Sequence, residues 1–92
     1  MEIKQKNTNQ DGMFFIEQDG VIVAKMIYYW LDEHKISINH TEVSEVLKGT
    51  GAGKKMLNKA VDFAREKGLK IIPLCSFAKG VFDKVDEFKD VL

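Results

Sequence analysis

Three glycines at alternate positions, in Lys48-Gly49-Thr50-Gly51-Ala52-Gly53-Lys54-Lys55, separate two stretches of different periodicity. Residues 36–43 read as a strand and residues 56–67 as a helix. Without Cβ atoms the intervening backbone can take positive φ and be approached closely. Just ahead of a helix, such a loop aims several unpaired N–H groups at one point, where the helix dipole also favours negative charge. A helix start ordinarily prefers Asp or Glu, and a lysine there costs about 0.3–1 kcal/mol. This helix opens on Lys54 and Lys55, with Lys48 ahead of the glycines. An anion held in the loop offsets that cost, and phosphate is the natural candidate. The plain alternative is a flexible crossover with solvated lysines, which explains neither the alternation nor the basic residues at both ends.

The rest of the chain limits where such an anion could belong. Ninety-two residues, 45% hydrophobic and 30% charged, suffice for one domain with a modest core. The formal net charge is zero, so nothing attracts nucleic acid or an anionic membrane to the molecule as a whole. The most apolar run, residues 21–31, is too short to span a bilayer and contains Lys25. The first residues lack the apolar centre of a signal peptide. One cysteine excludes an internal disulfide and suits a reducing cytoplasm. That cysteine and two distant histidines do not make a zinc signature. The expectation is a cytoplasmic protein without a metal, a nucleic-acid partner or a membrane.

Residues 2–6 read as an edge strand, residues 7–12 as polar punctuation and residues 13–18 as a second strand. Asp19-Gly20 supplies a two-residue hairpin turn into a third strand over residues 21–31. Both alternating sets of that strand are largely apolar, which predicts cover on both faces. In the fourth strand, residues 36–43, strict alternation puts Ile36 and Ile38 on one face with His40 and Glu42. After the loop, Met56, Leu57, Ala60, Val61, Phe63 and Ala64 recur at helical spacing, and Gly68 is a natural stop. Residues 70–74 form a short strand, parallel to the fourth through a right-handed crossover. The tail repeats a helical stripe that Gly80 weakens, so a short helix followed by an irregular or second helical end is expected. The fold class is α+β: a mixed sheet with an antiparallel meander of about four strands, then a parallel βαβ unit and a short C-terminal helix.

Two common phosphate loops do not fit. A Walker A loop has four residues between its first glycine and Gly-Lys, then Ser or Thr. Here three residues intervene, and Lys55 stands at the hydroxyl position. A dinucleotide fingerprint spaces its glycines differently and belongs to the first strand of a doubly wound sheet. Lys48-Gly49-Thr50-Gly51-Ala52-Gly53, between a strand and a long helix, instead resembles the acetyl-CoA motif Arg/Gln-x-x-Gly-x-Gly/Ala of GNAT-type N-acetyltransferases. Lys48 in place of Arg or Gln is a departure that should leave backbone binding intact while weakening any contact specific to that side chain. His40-Thr41-Glu42-Val43 upstream and Pro73-Leu74-Cys75-Ser76-Phe77 downstream extend the resemblance to very small GNAT-like proteins, over residues 36–88.

The resemblance implies acetyl-CoA as cosubstrate, with its pyrophosphate on the main-chain N–H groups of Gly49, Thr50, Gly51, Ala52, Gly53 and Lys54, and Lys55 close by. It implies that the strand through Thr41 and Val43 pairs with the pantetheine arm, and that a main-chain N–H near Val43 polarises the thioester carbonyl. Acyl transfer to an amine needs a base, for which His40 is the better candidate and Glu42 the second. Cys75 would lie where two parallel strands part. It could relay protons or accept the acyl group, against simple burial. Ser76 is a candidate donor to the leaving thiolate, or a helix cap. Lys79 could approach a CoA phosphate or simply carry surface charge. Full GNAT domains usually carry early helices that wall the acceptor site, and this chain passes from strand to hairpin without them. The acceptor, a small-molecule or peptide amine, would therefore meet a shallow pocket or one completed in a homodimer. A non-catalytic CoA-binding sensor is the rival expectation.

Overall fold

The computed structural model describes residues 1–92. The chain runs β1 (Lys4–Asn7), β2 (Asp11–Gln18), β3 (Val21–Asp32) and β4 (Lys35–Val43). A 3-10 turn (Glu45–Leu47) then leads to α1 (Ala52–Lys67), β5 (Lys70–Pro73), α2 (Ser76–Lys84) and a closing 3-10 turn (Asp86–Val91). The five strands form one sheet in the order β1-β2-β3-β4-β5, antiparallel as far as β4, with β5 parallel to β4. This is the expected α+β architecture. Asp19 (φ 51°) and Gly20 (φ 77°) both lie in the left-handed region, as a primed hairpin turn requires. Gly68 (φ 68°) ends α1, its N–H donating to Ala64 O.

The helices pack on one face of the sheet. Met56, Leu57, Ala60, Val61 and Ala64 of α1 join Met26 and Tyr28 of β3, Ile36 and Ile38 of β4 and Ile71 of β5 in a single buried cluster. Phe14, Tyr28, Trp30 and Phe63 lock the β1 side of this core, with ring centroids 5.4–6.4 Å apart. Tyr28 is fully buried, and burial pushes its hydroxyl above the ordinary tyrosine pKa. That hydroxyl donates to Asn7 Oδ1 at 2.7 Å and accepts from Gln5 Nε2 at 2.8 Å, so β1 is tied to the core through polar atoms. The final turn is held by Arg65, whose guanidinium donates to both carboxylate oxygens of Asp90 (2.9 and 2.8 Å) and holds that carboxyl below its usual range.

Three expectations are corrected. Cover on both faces of β3 is not found: Ala24, Met26 and Tyr28 are buried, but Tyr29 and Leu31 stand 43% and 54% exposed on the other side. An antiparallel sheet with helices on one side needs no second layer, and the apolar run does not distinguish the two cases. The first strand begins and ends later than expected, and Asp11 and Gly12 belong to β2 rather than to the connection. The third correction concerns the functional strand. Tyr28 pairs with Ile38 but Ile27 with His40, so β4 contains a bulge. The extra residue inverts the alternation beyond it. Thr41, opposite buried Met26, takes the core face, while His40 and Glu42, opposite Ile27 and Lys25, point to the open face.

Candidate functional site

β4 and β5 part company halfway along β4. Their register covers only Lys35↔Lys70 to Ile38↔Pro73, and both Leu74 N–H and Cys75 N–H then donate to Ile38 O. Residues 39–43 continue without a strand on that side. Ser44 N–H donates to Val23 O at 2.8 Å, so by alternation the main-chain groups of Thr41 and Val43 face away from β3, into the fork. The two strands therefore form a Y, with a free main-chain edge on its β4 arm.

The glycine loop closes the mouth of this fork. Gly49 (φ 80°) and Gly51 (φ 76°) are left-handed, and Gly51 is the residue that caps α1. No main-chain carbonyl accepts from the N–H of Gly49, Gly51, Ala52, Gly53 or Lys54. Thr50 is the exception among the expected donors: its N–H and hydroxyl both bond Leu47 O, at 3.1 and 2.6 Å. α1 begins at Ala52 rather than Met56, so Ala52, Gly53 and Lys54 are its first turn. The first turn carries no acidic residue and Lys48, Lys54 and Lys55 are exposed, but Lys55 lines a separate concavity with Asn58, Val85 and Phe88. Phe77 lies against Gly53, where a Cβ would come within 2.6 Å of the ring. With Val43, Ser44 and the loop residues it lines a depression of about 420 Å³. The Phe77–Gly53 contact, between two helix starts, leaves no signal in local spacing.

The candidate catalytic residues fall into two groups that the fold keeps apart. Cys75 lies at the crotch of the fork, half-buried against the core, with Sγ 3.4 Å from Thr41 Oγ1. It also caps α2 by accepting from Ala78 N–H at 3.4 Å, a role that sequence reasoning gave to Ser76. Ser76 and Lys79 are exposed on α2. His40 and Glu42 sit on the opposite face of the sheet, Nε2 to Oε1 at 2.9 Å, with Lys25 Nζ 3.5 Å from Oε2. The hydrogen bond from His40, followed by the charge of Lys25, holds the Glu42 carboxyl below its usual range. Its pairing is thus complete above the ordinary carboxylate range and is lost as the pH falls through the lowered midpoint. In a carbon-detected NMR titration, His40→Ala should raise that midpoint towards the ordinary glutamate value; an unmoved midpoint would show that the pair does not form in solution.

The site is thus a bulged strand, a fork at its end and an N–H-lined loop at the start of the following helix. The family described as GCN5-related N-acetyl-transferase matches residues 13–91, and the chain belongs to it. A GCN5-like protein of Staphylococcus aureus is 43% identical over 98% of this chain and 85% of its own, with a TM-score of 0.77. A ribosomal-protein-alanine N-acetyltransferase from Brucella melitensis biovar Abortus 2308 shares the fold at 18% identity, TM-score 0.69, over 85% of this chain. A GNAT family acetyltransferase from Elizabethkingia anophelis, solved with acetyl-CoA bound, shares it at 16% identity, TM-score 0.63, over 86%. The chain spans 62% and 53% of the lengths of these last two. No curated protein matches the sequence. No helix is long and apolar enough to cross a membrane.

Proposed function

We propose that the protein transfers an acetyl group from acetyl-CoA to an amine. The observation that carries this reading is the fork, whose free β4 edge at Thr41 and Val43 runs into five unpartnered N–H groups. The loop fits a diphosphate: Gly49 and Gly51 put no Cβ in its way, and Lys48 and Lys54 line the depression beside it. Family membership supports the same reading, as does acetyl-CoA in the Elizabethkingia structure.

The thioester supplies the acyl donor; the chain supplies orientation and proton traffic. Val43 N–H, facing into the fork, donates to the carbonyl oxygen as negative charge develops there. With Nε2 of His40 engaged by Glu42, Nδ1 is the atom that takes the ammonium proton, directly or through water. The amine lone pair adds to the carbonyl carbon, the C–S bond breaks, and its electron pair leaves with sulfur. Cys75, beside Thr41 in the crotch, delivers a proton to that sulfur and recovers one from solvent. Turnover by Cys75→Ala should fall about a hundredfold, the lower range for a positioned proton donor, at unchanged acetyl-CoA affinity. Full turnover would leave Cys75 only its capping and packing roles.

One observation favours a second reading, a non-catalytic CoA-binding module. β1 and β2 are joined by residues 8–10 alone, so no helix from that connection covers the sheet beside His40. Calorimetry with acetyl-CoA, followed by thiol release with a panel of amines, separates the two. Binding with turnover supports the enzyme, binding without it supports the module, and no binding removes both.

A further inference from the structure

The open face beside β4 carries a second concavity, of about 550 Å³, within the roughly 300–1,000 Å³ usual for small-molecule sites. Its walls are Met13, Ile22, Val23 and Val43, and its charged groups are Lys25 and Glu42. Val43 and Ser44 also line the depression at the glycine loop, so the two concavities share a wall at the end of β4. One cation and one anion thus stand side by side among apolar side chains, next to the strand end that leads into the fork. The Lys25–Glu42 pair is long, 3.5 Å, with side chains 37% and 58% exposed, and such pairs hold together weakly. A ligand bearing both charges can separate them at little cost, placing its ammonium on Glu42 and its carboxylate on Lys25.

We infer that this concavity is the acceptor site and that it takes a free α-amino acid with an apolar side chain. The amino and carboxylate groups of such a molecule, carried on one carbon, match the two charges, and its side chain covers Met13, Ile22 and Val23. A plain apolar amine leaves Lys25 without a partner; a polar amino acid leaves the apolar wall wet. His40, on the other oxygen of the same carboxylate, then stands beside the amine that must lose its proton. The assignment rests on the acetyltransferase reading for what happens to that amine, but the binding itself does not.

The test therefore reads binding and chemistry separately. Nitrogen-15-labelled protein saturated with CoA is titrated with L-leucine, leucinamide and isopentylamine, following the amides of residues 22–25 and 42–44. Thiol release from acetyl-CoA is measured with the same three compounds. L-leucine should move those amides and show a KM about tenfold below either analogue, the value of one charge-assisted hydrogen bond. Lys25→Met should erase that preference and Lys25→Arg retain it, both at wild-type acetyl-CoA affinity. Leucine binding at these amides without thiol release overturns the acetyltransferase reading and leaves the pocket assignment standing. Thiol release with equal KM for all three compounds, unmoved amides, or an intact preference in Lys25→Met overturns the assignment and leaves acetyl transfer standing.

Discussion

On the acetyl-CoA reading of the glycine loop, Gly51→Val should lower acetyl-CoA affinity by roughly a hundredfold while the sheet and its core stay assembled. The residue is the left-handed cap of α1 at φ 76°, with nothing within 4 Å of where a Cβ would stand, so the new side chain meets no steric wall in the free protein. It meets backbone strain, about 1–3 kcal/mol for a non-glycine in that region, which is relieved by turning the loop. Turning the loop swings the N–H groups of Gly51 and Ala52 off their common target. Two charge-assisted hydrogen bonds at about 1.5 kcal/mol each give the hundredfold. Gly20→Val is the matched control. It carries the same strain, at φ 77° and in open space, but in a hairpin remote in sequence from the loop. Calorimetric titration of both variants decides the matter. Equal affinities in Gly51→Val and wild type would mean that the loop does not hold the nucleotide.

The second large effect is on stability, from a glycine that carries no chemistry. Gly12 pairs with Tyr28 across β2 and β3, and the Tyr28 ring lies directly over it. A Cβ there would fall on Cζ and Oη of Tyr28 and 2.6 Å from Lys6 O. Neither obstacle yields easily, because the ring is fully buried and the carbonyl belongs to β1. Gly12→Ala should therefore cost about 2–3 kcal/mol as an overpacked core. For a chain of this size that lowers the melting temperature by roughly 10–20 °C. It also pulls the Tyr28 hydroxyl off Asn7 and Gln5, loosening β1. An unchanged thermal midpoint would show that the ring does not rest on this glycine.

Gly12 marks the limit of what the sequence could disclose. Its neighbours Asn7, Thr8, Asn9 and Asp11 make a convincing turn, and nothing nearby announces that a tyrosine sixteen positions on will need the empty space. Contacts between strands are set by register, and register is a property of the whole sheet. The strand–loop–helix unit was legible because its signals are local: glycine spacing, a switch from one periodicity to another, and a stop at Gly68. His40 and Glu42 were assigned to the core face for a related reason. Alternation is a local rule, and the bulge between Ile38 and His40 breaks it without an unusual residue to betray it. The inversion has chemical weight, since it hands Thr41 to Cys75 and leaves His40 to Glu42. The strand therefore offers His40 with Glu42 on one face and, through Thr41, the Cys75 thiol on the other.

The short seam between β4 and β5 also governs the order of assembly. Every other seam in the sheet joins antiparallel strands linked by a short turn and can zip outward from that turn. This one spans four residue pairs and must wait until α1 has brought Lys70–Pro73 back alongside Lys35. The entropic toll of a long loop closure therefore falls on a single late event, after a meander that forms from local contacts. The cleft at the end of β4 comes into being only with that event, so a chain that stalls before it would present a nearly complete sheet and no binding site.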